Sequence, residues 1–262
     1  MYWVYSLPNW FFELLTVSFF VAFGVAGILV TRKSIGSIHR QRSYNDIVGF
    51  YLAGITVLYG VTLGLLAIGA WTIYTEAEAK VAKEAAAVSA LYRTVGDLPE
   101  PMRSSLRTDL QNYVREVIDI GWPQQQRGIP PLENRIALDK FQKDFQSFEP
   151  ATETQKIVEA DITGQFDVLE EARSIRLDST AAELPSPLWT LILVGALICI
   201  VVTWFFHLES LKMHFWMTIL FSALLGLMVY MVAALDNPYR GKISVSPDSL
   251  VRVYTLMVKP EK

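Results

Sequence analysis

The sequence predicts an all-α polytopic membrane protein with four transmembrane helices and one inserted helical domain outside the membrane. Two observations lead to this fold class. Four apolar stretches are each long enough to cross a bilayer, which takes roughly 17–25 helical residues, and the polar stretch 75–184 separates them into two pairs. Hydrophobic residues make up 52% of the 262 residues and charged residues only 19%, whereas soluble domains usually contain about 25% charged residues.

The charges are unevenly distributed along the chain. Residues 75–184 contain 20 of the 26 acidic and 13 of the 23 basic residues, a net charge of −7, and the other 152 residues have a net charge of +4. We expect no nucleic-acid partner, because no basic stripe follows one face of the chain. The single cysteine, Cys199, excludes a disulfide-stapled fold.

The four predicted spans begin and end at recognisable signals. In chain order they are Trp10–Val30, Ile47–Tyr74, Leu188–Phe206 and Phe215–Leu235. Pro185 and Pro187 precede the third span, where proline suits a helix start. The predicted organisation is therefore helices 1 and 2 in residues 1–74, the helical domain in 75–184, helices 3 and 4 in 185–237, and a C-terminal tail in 238–262.

The distribution of Lys and Arg in the short loops predicts the orientation in the membrane. The loop 31–46 contains Arg32, Lys33, Arg40 and Arg42, and the first ten residues contain no Lys or Arg. This loop is therefore expected in the cytoplasm. Four spans then place both termini and the helical domain on the outer side.

Apolar residues at helical spacing predict helices throughout the inserted domain. The second span continues without a break to about Val95, and further helices are predicted at Glu100–Ile120, Leu132–Phe148 and Thr152–Thr180. The first of these three is expected to stop at Gly121-Trp122-Pro123. The third is expected to lead into the third span, so that the domain is built on extensions of helices 2 and 3.

The inserted domain contains no arrangement of residues typical of an enzyme. It has no histidine, no cysteine, no glycine-rich phosphate loop and no nucleophilic serine motif, so we expect no catalytic residues, no metal and no cofactor. Its carboxylates alternate with Lys and Arg, a pattern typical of solvated helix faces. Glu76, Glu78 and Glu84 follow the second span and are interpreted as a solvated helix start, and alternatively as vestibule charges that attract cations in an oligomer.

Small residues on one side make the second span unusual. Glycine, alanine and threonine recur there at spacings of three and four residues, which places them on one narrow face of a helix. We call this the small-residue face; it comprises Gly49, Ala53, Thr56, Gly60, Gly64 and Ala67. Small residues permit close helix–helix approach, so the face either packs within one subunit or lines a pore on a symmetry axis. Trp71 and Tyr74 extend it and are candidate constrictions.

Five segments carry a family resemblance. They are Tyr44–Tyr51, Trp71–Glu78, Leu98–Arg103, Ala234–Gly241 and Ile243–Pro247. Together they resemble the bacterial bestrophin-like domain membrane proteins over nearly the whole chain. The resemblance implies a multi-pass protein of the bacterial inner (plasma) membrane and a distant relation to bestrophins. Bestrophins are homo-oligomeric, usually pentameric, anion channels in which the second membrane helix lines an axial pore.

In two respects the sequence departs from what the bestrophin relation implies. Bestrophin pore necks carry bulky apolar residues, whereas the small-residue face carries Gly, Ala and Thr. Bestrophins also keep their helical domain and both termini in the cytoplasm, opposite to the orientation predicted from the basic loop. The two lines of argument also predict different ion preferences. The net charge of −7 in the inserted domain favours cations, whereas the resemblance favours anions such as chloride.

The sequence therefore supports two functional hypotheses. The first is a homo-oligomeric channel, most simply a pentamer, with the lipid bilayer, copies of itself and permeating ions as partners and a slight preference for anions. The second is a non-conducting membrane scaffold or sensor whose helical domain binds a partner.

Overall fold

The computed structural model describes residues 7–35, 42–129, 136–241 and 243–259. Every regular element within these ranges is helical, as predicted. In chain order the helices are α1 (Asn9–Ile35), α2 (Arg42–Val95), α3 (Met102–Glu116), α4 (Trp122–Gln126), α5 (Ile136–Phe145), α6 (Glu153–Asp178), α7 (Ser186–Thr203), α8 (Leu211–Asp236) and α9 (Asp248–Val258). The predictions for residues 36–41 of the basic loop and for the start of the Leu132–Phe148 helix lie outside the described residues.

Among the residues that the structure describes, four helical stretches are long and apolar enough to cross a membrane, which agrees with the predicted fold class. They are Asn9–Thr31, Tyr44–Val95, Glu153–Thr203 and Leu211–Asp236. α2 is a single helix of 54 residues, about 80 Å long at 1.5 Å per residue. Between α6 and α7 the chain instead makes a 3-10 turn at Ser179–Ala181 and then extended backbone at Ala182 and Pro185, so the inserted domain is continuous with α2 and is separated from α7 by this break.

The chain divides into two compact units. The first unit comprises residues 1–73 and 183–236, and the second comprises residues 74–182 and 237–262. In the first unit, three of the four spans use glycine for close packing. The indole of Trp204 covers Gly27 and donates a hydrogen bond to the carbonyl of Gly24 (3.1 Å). The ring of Tyr59 covers Gly195 of α7, and a Cβ added at Gly226 of α8 would lie 2.9 Å from the Cα of Val17.

Asp236 fastens the end of α8 to the start of α7. Its buried carboxylate accepts hydrogen bonds from the backbone N–H of Leu184 (2.6 Å) and from the indole N–H of Trp189 (3.0 Å). The first N–H groups of a helix such as α7 have no partners within the helix, and the Asp236 carboxylate supplies a hydrogen-bond acceptor beside the start of α7.

The second unit combines the inserted segment with the C-terminal tail. The tail contains the helix α9, which the sequence reasoning did not predict although Leu250 and Met257 lie seven residues apart on its buried side. The carbonyl of Met257 accepts hydrogen bonds from the hydroxyl of Tyr92 (2.9 Å) and the amide of Gln111 (3.0 Å). These contacts incorporate the tail into the core of the inserted domain.

The predicted helix stop at Gly121 is wrong. α3 continues through one π-helical turn, Val117–Gly121, directly into α4. The N–H of Trp122 bonds to the carbonyl of Val117, and this wider turn shifts the register. Pro123 then stands in the first turn of α4, where its missing N–H costs little.

Candidate functional site

One line of side chains connects α2 to the rest of its own membrane unit. Tyr59, Leu63 and Ala70 on this line are buried, and Ile55 and Leu66 pack against the same core. Tyr59 also donates a hydrogen bond from its hydroxyl to the backbone carbonyl of Ile192 in α7 (2.9 Å). We call this the buried line of α2; it identifies the side on which the helix contacts its own chain.

The small-residue face lies beside the buried line and is largely uncovered. Ala53, Gly60 and Gly64 are exposed, and Gly49, Thr56 and Ala67 are half-buried. A Cβ added at Gly49, Gly60 or Gly64 would meet no atom of the described residues within 4 Å. The glycines of α1, α7 and α8 are covered by neighbouring side chains or backbone, whereas the described residues give these three α2 glycines no packing contact within the subunit.

A second exposed surface runs along α2 about 80° further around the helix, at 3.6 residues per turn. Its large apolar side chains are each more than 60% exposed; we call it the bulky face, and it comprises Phe50, Val57, Val61 and Ile68. The sequence reasoning did not single out these residues, although their spacing of seven, four and seven is helical. Together the two faces form a broad apolar surface that the subunit itself leaves open.

The two aromatic residues predicted as constrictions have different surroundings. Trp71 belongs to the membrane unit, and its side chain is 56% exposed. Tyr74 belongs to the second unit and packs against the core of that unit. Of the two, Trp71 is the side chain that remains accessible for a role on the outside of α2.

The three carboxylates that follow the span also differ. Glu76 and Glu78 are exposed, whereas Glu84 is fully buried, so its interpretation as part of a solvated helix start is wrong. Glu84 lies between Val81 and Val88 at spacings of three and four residues. It therefore faces the same core as those apolar neighbours.

Glu84 belongs to a buried polar cluster with Tyr113 and Arg176. Its carboxylate accepts a hydrogen bond from the Tyr113 hydroxyl and forms an ion pair with the Arg176 guanidinium, whose Nη2 lies 3.3 Å from Glu84 Oε1. The Arg176 guanidinium also lies over the ring of Trp122, 5.7 Å from its centroid. Burial and the Glu84 charge raise the pKa of Tyr113 well above its usual value. The cluster joins α2, α3, α4 and α6.

A second charged group joins α3 to α5. The ammonium of Lys140 contacts the carboxylate of buried Asp109 and donates a hydrogen bond to Asp144 (3.0 Å). Burial raises the pKa of Asp109, although Lys140 opposes this effect. The hydrogen bond from Lys140 lowers the pKa of the more exposed Asp144. Neither of these pairings was identified from the sequence, because the partners Arg176 and Lys140 lie far from Glu84 and Asp109 along the chain.

These features define an all-helical, four-span membrane protein whose second helix leaves an apolar surface uncovered. The family profile of the bestrophin-like domain matches residues 18–250. The chain belongs to this family, as the resemblance predicted.

Solved structures of related proteins share the fold. A variant of a bacterial bestrophin homologue from Klebsiella pneumoniae superposes with a TM-score of 0.67 at 12% identity, covering 94% of this chain and 99% of that chain. A second variant of this homologue gives 0.63 at 11% identity, covering 94% and 97%. A structure described as a membrane protein gives 0.66 at 11% identity with the same coverage. No match was found among curated protein sequences.

Proposed function

We propose that the protein is a homo-oligomeric ion channel whose axial pore is lined by α2. The observation that carries the proposal is the uncovered side of α2. The other spans use their glycines for contacts within the subunit, whereas an added Cβ at any of the five span glycines of α2 meets no described atom within 4 Å. A surface of this kind is available to other copies of the chain and to a central axis.

The uncovered part of α2 suits a closed ring of identical subunits. The buried line faces the subunit's own α7, and each helix of a ring also meets two neighbours and the axis. A head-to-tail interface between identical subunits closes into a ring when its rotation permits. The family membership favours a pentamer and chloride as a permeant ion, because bestrophins are usually pentameric anion channels.

The candidate pore-lining residues are those of the small-residue face: Gly49, Ala53, Thr56, Gly60, Gly64 and Ala67. Trp71 follows them at the end of the span and is the candidate constriction, with Tyr74 as the less accessible alternative. A ring of apolar aromatic side chains can close a pore by excluding water. Removing the indole is therefore expected to increase the resting ion flux.

Purified full-length protein in detergent and in liposomes tests this proposal. We expect a stable oligomer by native mass spectrometry and chloride efflux from loaded liposomes. Trp71→Ala should raise that efflux several-fold. Trp216→Ala is the matched control, because Trp216 on α8 is similarly exposed and should leave the efflux unchanged. A monomer, or an absence of flux from both the wild type and Trp71→Ala, would contradict the channel and favour a non-conducting scaffold.

A further inference from the structure

Two segments of the second unit that contact each other contain no acidic residue. Residues 120–129 contain a single charged residue, Arg127, and residues 237–247 contain Arg240 in a stretch without Asp or Glu. The charged side chains of this pair of segments are therefore all basic, although residues 75–184 have a net charge of −7.

Hydrogen bonds join the two segments. The indole N–H of Trp122 donates to the carbonyl of Val245 (3.2 Å), and the amide of Gln126 donates to the hydroxyl of Ser244 (3.1 Å). These bonds fix the end of α4 beside the loop that follows α8.

The turn at Gly128 brings the two arginines together. Gly128 follows Arg127 and has a φ of +76°, a conformation that favours glycine. The guanidinium of Arg240 lies against this glycine, because a Cβ added there would be 2.7 Å from Cζ and 2.9 Å from each Nη. Arg127 is exposed, Arg240 is half-buried, and Ile129 on the other side of the turn is 52% exposed. Two cationic side chains and one aliphatic side chain are thus grouped around a single turn.

The covalent chain keeps this group near the membrane. Asp236 is the last residue of α8, which is long and apolar enough to span a bilayer, and Arg240 comes four residues later. The N–H of Arg240 bonds to the carbonyl of Asn237 (3.0 Å), which closes a turn less than about 7 Å across. With one further step of about 3.8 Å, the Arg240 Cα lies within about 11 Å of the Asp236 Cα. Headgroups occupy roughly 5–8 Å on each side of the hydrocarbon core, so lipid phosphates are within reach of the Arg240 side chain.

We propose that Arg127 and Arg240 form a binding site for the phosphate group of an anionic lipid. A guanidinium donates two parallel hydrogen bonds to a phosphate, and basic residues next to a membrane span are attracted to anionic lipids. Ile129 suits the same occupant, because an aliphatic side chain beside the cations matches the boundary between headgroups and acyl chains. The site goes beyond the proposed function and does not depend on ion conduction.

The contact between Arg240 and Gly128 also has a simpler use, since it packs the loop after α8 against the end of α4. Replacing a purely structural arginine would lower the thermal midpoint and leave the choice between anionic and zwitterionic lipids unchanged. Arg127 is exposed, so its replacement should not affect folding. Lipid selectivity, measured first in Arg127 variants, therefore distinguishes the two roles.

The test is native mass spectrometry of the full-length protein in detergent, to which equal amounts of phosphatidylglycerol and phosphatidylcholine are added. We expect the wild type to retain phosphatidylglycerol preferentially. Arg127→Gln and Arg240→Gln should each reduce the lipid-bound fraction of subunits several-fold, and Arg127→Lys should retain an intermediate fraction. Arg115→Gln is the matched control, because Arg115 is another exposed arginine of the second unit but is followed directly by Glu116. It should bind lipid as the wild type does.

Three results would overturn the assignment. The first is a wild type without a preference for phosphatidylglycerol, or an Arg127→Gln variant that retains this lipid as the wild type does. The second is an equal loss of lipid in Arg115→Gln, which would indicate a general effect of charge. The third is thermal stabilisation by inorganic phosphate as large as that by phosphatidylglycerol at the same concentration, which would indicate a site for free phosphate.

Discussion

Removing the charge of Glu84 should strongly destabilise the second unit. The carboxylate and the Arg176 guanidinium are both fully buried and paired with each other. Glu84→Gln leaves the arginine charge without its counter-charge in an interior that water does not reach. The glutamine oxygen can still accept a hydrogen bond from Tyr113, so the substitution isolates the effect of the charge.

The expected loss of stability is about 3–5 kcal/mol, the usual cost of removing one partner of a buried ion pair. This lowers the thermal midpoint by on the order of 10 °C in a protein of this size. The double variant Glu84→Met with Arg176→Met removes both charges and replaces them with apolar side chains of similar length. It should therefore be more stable than either single variant.

Thermal unfolding in detergent, combined with hydrogen–deuterium exchange of residues 79–95, measures this effect. Exchange in this segment should accelerate about a hundredfold to a few thousandfold in Glu84→Gln, because every 1.4 kcal/mol is about tenfold. Glu153→Gln is the control, since Glu153 and Lys156 form an exposed pair at 2.7 Å that contributes roughly 0.5 kcal/mol or less. Two results would refute the reasoning. One is an equal shift of the thermal midpoint in Glu84→Gln and Glu153→Gln, and the other is a double variant whose loss of stability equals the sum of the losses of the two single variants.

Three further predictions concern packing, pH and topology. Gly27→Ala should lower the thermal midpoint, because the added methyl group would collide with the Trp204 indole at a cost of about 1–3 kcal/mol. Gly164→Ala is the control, because its added methyl group would meet no described atom within 4 Å. It should maintain or raise the thermal midpoint. Because the pKa of Asp109 is raised, the folded state binds a proton at this carboxylate more readily than the unfolded chain does. The stability of the wild type relative to Asp109→Asn should therefore increase as the pH falls from 7 to 4. A decrease in this relative stability would contradict the effect of burial on the Asp109 pKa. Reporters inserted after Ser147 and fused to the C-terminus should lie on one side of the membrane, because both segments belong to the second unit. An outside signal from both would support the orientation predicted by the basic loop, a cytoplasmic signal from both would support the orientation implied by bestrophins, and signals from opposite sides would contradict the topology.

The membrane spans and the long second helix could be predicted because their signals are local. Hydropathy and helical spacing along α2 are sufficient to expect a helix as far as Val95, and the structure ends it at that residue. The end of α3 required more than local signals. Glycine followed by Trp-Pro reads as a stop, and the π turn that carries the helix past Gly121 has no marker in the sequence.

The environment of individual side chains on α2 depends on contacts far along the chain. Glu84 differs from the exposed Glu76 and Glu78 in lying on the apolar stripe with Val81 and Val88, and its partner there, Arg176, is 92 residues away along the chain. The small-residue face is a similar case. The spacing of its residues predicts that they share one face of α2. The side of α2 that contacts its own chain is identified instead by the hydrogen bond from Tyr59 to Ile192.

The conflict between a net charge of −7 and an anion-channel relative is a question about which charges line the path of an ion. An ion responds to the charges that line its path, and the charge of a whole domain is a poor guide to that lining. Glu84 is paired with Arg176 and buried Asp109 with Lys140, and because each pair is neutral the other residues of the domain still carry the net charge of −7. Of the three carboxylates that follow the span, Glu76 and Glu78 are exposed and Glu84 is buried, so Glu76 and Glu78 are the two that permeating ions would meet in the proposed pore.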